Sequence, residues 1–199
     1  MVSAIVYDNL IKSLELELKE MSSHIGKKII NQTIAAELHE YYNQVGLKEG
    51  WLESKYATKL AQQNEVNQLK NVRAAEDVIL FWLRVLRKIA DKKSNSTSVM
   101  NVVNSMKKSV LYEENRSHKL LEAAAHSQHE QWARFVGKHQ AERVTLGHEK
   151  FNIKNYQQYL KAYTKLSAKE KDQDRLVVAV VTDRVLVRAN IGYISKIKL

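Results

Sequence analysis

Leu10, Leu14, Leu18, Met21 and Ile25 recur every three or four positions, which puts them on one face of a helix. Asp8, just ahead of this stripe, reads as its N-cap. Ile29, Ile30, Ile34 and Leu38 resume the pattern after Gly26, and Tyr42, Val45, Leu52, Tyr56 and Leu60 carry it past Gly46 and Gly50. One glycine costs a helix about 1 kcal/mol and need not end it. The spacing therefore predicts one or two long helices over residues 5–69, with a kink at Gly46–Gly50.

From Val78 to Ile89 the apolar positions lie on nearly every side, as expected of a helix buried by more than one neighbour. Residues 92–98 (Lys-Lys-Ser-Asn-Ser-Thr-Ser) form the clearest polar break, and Ser98 is placed to cap the next helix. Val99, Val103, Met106, Val110, Leu111, Leu120, Leu121, Ala124, Ala125, Trp132 and Phe135 continue a modest helical stripe to about Leu146. A further helix is predicted over Phe151–Leu166. Lys169–Arg175 reads as a charged loop. Leu176–Val181 and Val185–Val187 are densely β-branched, and they read either as two strands turning at Thr182–Asp183–Arg184 or as a buried helix.

The chain has 199 residues, no proline and only 6 glycines, which suits a few long helices. The fold predicted is all-α: an elongated antiparallel helical bundle over residues 1–170, followed by an apolar C-terminal segment, 171–199, that is β-like or a buried helix. Trp51, Trp82 and Trp132 each sit among apolar neighbours and are expected in the core. No run approaches the roughly 20 apolar residues that span a bilayer, and the N-terminus lacks a signal-peptide pattern. The expectation is a cytoplasmic protein.

Candidate chemistry is sparse. Without cysteine there are no disulfides, thiolate ligands or thiol nucleophiles. Neither a nucleophile elbow nor a glycine-rich phosphate loop is present, so no catalytic residue, cofactor or small-molecule substrate is inferred. Glu114, His118, Glu122, His126 and His129 would share a helical face, with Glu37 and Glu40 available from an earlier helix. A ferritin-like metal protein is the reading this allows, but its Glu-x-x-His spacing is absent, and a solvated polar face accounts for the same residues. Charge says more. The net charge is +10, and Arg84, Arg87, Lys88, Lys92, Lys93, Lys107, Lys108, Arg116 and Lys119 fall within one stretch that holds only Asp91, Glu113 and Glu114 as acids. These nine are the candidate anion-binding residues, for phosphate-rich lipid or nucleic acid.

Residues 52–60, Leu-Glu-Ser-Lys-Tyr-Ala-Thr-Lys-Leu, resemble the apolar-Glu-x-x-Tyr-Ala-x-x-Leu signature of F-BAR domains. Glu37–Gly50 is similar to the helix leading into it, and Glu114–Ala125 is faintly similar to a later core helix. The resemblance implies long antiparallel helices, a homodimer and binding of anionic lipid by basic side chains. A dimer is also expected from the apolar runs at Val78–Ile89 and Leu176–Val187, since each buried side chain of this kind gains about 1.5–3 kcal/mol. The other solution is a monomer whose helices wrap Trp82. The function expected is thus a non-catalytic, peripheral membrane-binding dimer or scaffold, with a nucleic-acid-binding protein as the alternative.

Overall fold

The computed structural model describes residues 2–24, 33–50, 52, 54, 57–63, 65–91, 96–145, 160–191 and 193–197. Among these residues the α-helices are α1 (Val2–His24), α2 (Ile34–Lys48), α3 (Glu65–Asp91), α4 (Ser96–Val110), α5 (Lys119–Thr145) and α6 (Ala168–Ala189), with 3-10 turns at Leu60–Gln62 and Tyr163–Lys165. No strand occurs among them, and the fold is all-α. No described helix is long and apolar enough to cross a membrane.

The β-branched run decides the architecture. It lies in α6, and α1 to α5 all pack against that helix. Leu176, Val177, Val178, Val180, Val181, Val185 and Leu186 are buried. A β-branched residue costs a helix about 0.5 kcal/mol relative to alanine, whereas burying its side chain gains about 1.5–3 kcal/mol. Burial therefore outweighs propensity, and the strand–turn–strand alternative gives way to a central helix. Its first two turns are the charged stretch Lys169–Arg175, read from sequence as a loop. The start is fixed by a capping box: Ser167 Oγ accepts from the Glu170 N–H (3.3 Å), and the Glu170 carboxylate accepts from the Ser167 N–H (2.7 Å). Asn190, at φ +49°, ends it in the left-handed conformation that asparagine tolerates.

Several predicted boundaries move. Asp8 lies inside α1, which begins at Val2, and Ser98 lies inside α4, which begins at Ser96. The long helix over 5–69 is not continuous. α2 stops at Lys48, and Gly50 takes φ +72°, a conformation that a side chain would strain. Leu52 N–H then reaches back to the Gly46 carbonyl (3.0 Å). The described positions of the signature segment (Leu52, Ser54 and 57–60) lie outside the α-helices, and Trp51, Glu53, Lys55 and Tyr56 lie outside the described residues.

The stripe from Val99 to Leu146 is two helices, separated by turns over 111–118. Asn115 Nδ2 donates to the Leu111 carbonyl (2.8 Å), a side-chain bond that satisfies the end of α4 and competes with helix continuation. Most of the helix predicted over Phe151–Leu166 lies outside the described residues, and its last part holds the 3-10 turn Tyr163–Lys165.

The α3 run behaves as one wall of the core. Val78, Ile79, Trp82, Leu83 and Leu86 are buried, and α1, α2, α5 and α6 of the same chain pack on the helix. The other side of α3 carries exposed Leu80, Arg84, Arg87 and Lys88. Trp82 is fully enclosed, and its indole Nε1–H donates to Thr182 Oγ1 of α6 at 2.9 Å. Thr182→Val keeps the shape but leaves a buried donor unpartnered. The expected loss is about 1–3 kcal/mol in urea unfolding; an unchanged midpoint would show that this bond does not hold α3 to α6.

Candidate functional site

Glu17 follows Leu10 and Leu14 and precedes Met21 on the same inward face of α1. It is a fully buried carboxylate. Its Oε1 accepts from two arginines one turn apart on α6: Arg184 Nε at 3.0 Å and Arg188 Nη1 at 2.9 Å. Arg188 also grips Glu20 with both terminal nitrogens (2.7 and 2.5 Å), and Arg184 reaches Glu37 of α2. The Glu20 and Glu17 bonds raise the Arg188 pKa further above its ordinary value. Burial pushes the Glu37 carboxyl up; Arg184 pulls it down, and Glu17 and Asp183 push it up again, with a net rise.

These residues wall an open cleft of about 650 Å³, closed on one side by the C-terminal segment through Ser195 and Ile197. That segment is tied down by one buried carboxylate. Asp183 accepts from the Tyr193 and Ser195 hydroxyls and from the Lys196 N–H (3.1 Å).

A second polar layer joins α5 to α6. His129, on the inward face of α5, faces Asp174 Oδ2 through Nδ1 (3.0 Å) and the Lys161 carbonyl through Nε2 (2.8 Å). A carbonyl only accepts, so Nε2 carries a hydrogen, and an ionised Asp174 calls for one on Nδ1 as well. Burial alone would push the imidazole pKa down, but the hydrogen bond to Asp174, its charge and the Lys161 carbonyl outweigh this and hold it above the ordinary value. While both nitrogens donate, the protonated His129 has no lone pair to act as a general base. Beside it, Arg175 binds Glu122 (2.6 Å) and Asp172 (2.8 Å), and Tyr163 donates to Glu122 while stacking on His126. Burial and Glu122 push the Tyr163 phenol up.

Of the nine basic candidates, the seven described ones are carried by α3, α4, the turns after α4 and the start of α5. Arg84, Arg87 and Lys88 share the exposed face of α3. Arg84 lies 3.4 Å from Ser127 of α5, and Arg87 makes an exposed ion pair with Glu15 of α1 (3.3 Å). Lys108 and Lys119 line a separate hollow at the corner between α4 and α5, with Asn115, Ser117 and His118; Lys107 is in the last turn of α4. Burial and the charge of Lys108 lower the His118 pKa. Arg116 is turned onto Asp172 (3.0 Å). Lys92 and Lys93 lie outside the described residues.

Of the metal candidates, Glu122 is held by Arg175 and Tyr163, and Glu114 sits in the turn ahead of α5. Among the described residues no group of three His, Asp or Glu side chains could hold a metal ion. The residues missed from sequence are Glu17, Asp183, Arg184, Arg188, Asp174 and Arg175. One signal was available: Glu17 occupies an apolar register position of α1, and Arg184 and Arg188 interrupt an apolar run at helical spacing.

The chain is thus an all-α bundle in which buried charges pair between helices. Comparison with family models, with curated proteins and with solved structures found no match to this chain.

The His129 contacts carry a pH signature. A pKa raised on folding stabilises the fold fully below the unfolded value of about 6.5, and this contribution fades as pH rises through the folded value. His129→Gln is expected to cost about 1–3 kcal/mol at pH 6 and clearly less at pH 9, read by urea unfolding at both. An equal cost at the two pH values would assign His129 a packing role only.

Proposed function

We propose that the protein binds anionic membrane surfaces peripherally, through the exposed face of α3. The observation that supports this most is the composition of that face. Leu80, 39% exposed, is followed by Arg84, Arg87 and Lys88 at one, two and just over two turns, while the opposite side of α3 is sealed in the core. An apolar side chain among cations suits the boundary between headgroups and acyl chains. A phosphate backbone would use the cations and leave Leu80 without a partner. The ion pair of Arg87 with Glu15 does not sequester it, since both side chains are more than half exposed and such pairs are worth little.

The energy is modest. About 1 kcal/mol per basic residue near an anionic surface gives this face roughly 3 kcal/mol, plus the leucine. Binding of that strength is reversible, and a homodimer presenting two such faces makes it useful. No catalytic role belongs to this reading.

Asp77 lies one turn before Leu80 on the same stripe. Burial, with Glu76 adding, raises its pKa to about 7 against the pull of Arg73 and Arg84. Protonation below that value removes a negative charge from the face, so binding tightens as the pH falls. In cosedimentation, vesicles containing phosphatidylserine are expected to capture the protein and neutral vesicles to leave it in solution. One charge at about 1 kcal/mol is roughly fivefold in affinity. Arg84→Ala and Lys88→Ala should each weaken binding by about that factor, and the wild type should bind about as much tighter at pH 6 than at pH 8. Asp77→Asn should bind at pH 8 as the wild type does at pH 6. Equal capture by neutral vesicles, or preference for duplex nucleic acid over vesicles of matched charge, would refute the lipid reading.

A further inference from the structure

The cleft between α1, α2 and α6 is chemically opposite to the rest of the molecule. In a chain of net charge +10, the charged residues lining it, among the described residues, are four carboxylates (Glu17, Glu20, Glu37 and Asp183) and two guanidiniums (Arg184 and Arg188). Both guanidiniums bind the same oxygen of Glu17. Its second oxygen, Oε2, has no hydrogen-bond partner, although the side chain is fully buried and lines the cleft. Among the described residues three buried side-chain polar atoms are unpartnered, and this is the one carboxylate oxygen. A buried acceptor without a donor is costly, more so for a charged group, so a donor brought to Glu17 Oε2 recovers that cost.

We propose that this cleft binds a small organic cation bearing N–H donors, an amine or guanidine, whose hydrogen bond completes Glu17. Three features define the ligand. The excess of carboxylates among the described lining residues favours positive charge. A metal ion is the poorer occupant, since no three carboxylate or imidazole groups among the described residues are arranged to hold one. The volume, about 650 Å³, falls in the range of small-molecule sites, roughly 300–1,000 Å³. Val187, 45% exposed, and Ile197 supply the apolar part of the wall for the carbon chain. Arg184 and Arg188 both hold Glu17 through Oε1, which leaves Oε2 as the oxygen with hydrogen-bonding capacity to spare.

Isothermal titration calorimetry of the full chain with agmatine, spermidine and tetramethylammonium tests this. Agmatine and spermidine are expected to bind saturably at one site, at least tenfold tighter than tetramethylammonium, which has the charge but no N–H. Glu17→Gln should abolish the site. Because that substitution also disturbs the buried arginines, Val187→Arg supplies the second test: it changes an exposed rim residue, fills the mouth with a competing guanidinium, and is expected to remove binding while the thermal unfolding curve stays that of the wild type. Absence of saturable binding, equal binding of tetramethylammonium, or undiminished binding by the Val187→Arg protein would each overturn the proposal. Tighter binding of an acetylated arginine peptide than of agmatine would overturn its assignment to a free small cation.

Discussion

Helix α6 has almost no free side, and the remaining helices are arranged by the need to cover it. Five helices pack on it, and specific polar contacts fix where. Ser13 of α1 donates to the Val185 carbonyl (3.0 Å), Trp82 of α3 to Thr182, and Tyr42 of α2 to Gln173 (3.3 Å), while Glu122 of α5 takes Arg175. Hydrophobic burial supplies the drive but is indifferent to rotation or sliding of one helix on another. A buried donor or charge is not indifferent, because a shift of one turn would leave it unpartnered at a cost of about 1–3 kcal/mol. Register in this bundle therefore rests on a small set of inward-facing polar residues.

The two ion-pair layers take up that role at opposite ends of α6. Near its start, Asp172, Asp174 and Arg175 engage Arg116, His129 and Glu122, and so connect the 111–118 turns and α5 to the central helix. Toward its end, Arg184 and Arg188 gather Glu17, Glu20 and Glu37 from α1 and α2. Such pairs add little net stability over apolar packing, since desolvation offsets much of the attraction, but losing one partner is expensive. Their contribution is to select one arrangement among many of similar burial. The same pairing leaves the molecule's charge segregated, with a carboxylate-rich cleft beside α6 and exposed cations on the outer face of α3.

The amino-acid sequence by itself determined the all-α class, because three-to-four-residue apolar spacing without proline has one local solution over most of the chain. It also determined that Trp82 and its neighbours would be core, and it marked Arg84, Arg87 and Lys88 as candidate anion-binding residues. These are local properties, readable from periodicity and composition. Tertiary structure decided the rest. The run at 176–187 has strand propensity and became helix, since burial against five neighbours exceeds a preference of a few tenths of a kcal/mol per residue. The basic stretch from Arg84 to Lys119 is contiguous in sequence, yet its described residues lie on three helices and the turns over 111–118, and Arg116 is turned onto Asp172. Glu17 is buried against Arg184 and Arg188, which lie more than 160 residues away in the chain. A charge can be buried only where its counter-charge arrives, and that meeting depends on the packing of distant helices, which no local pattern encodes.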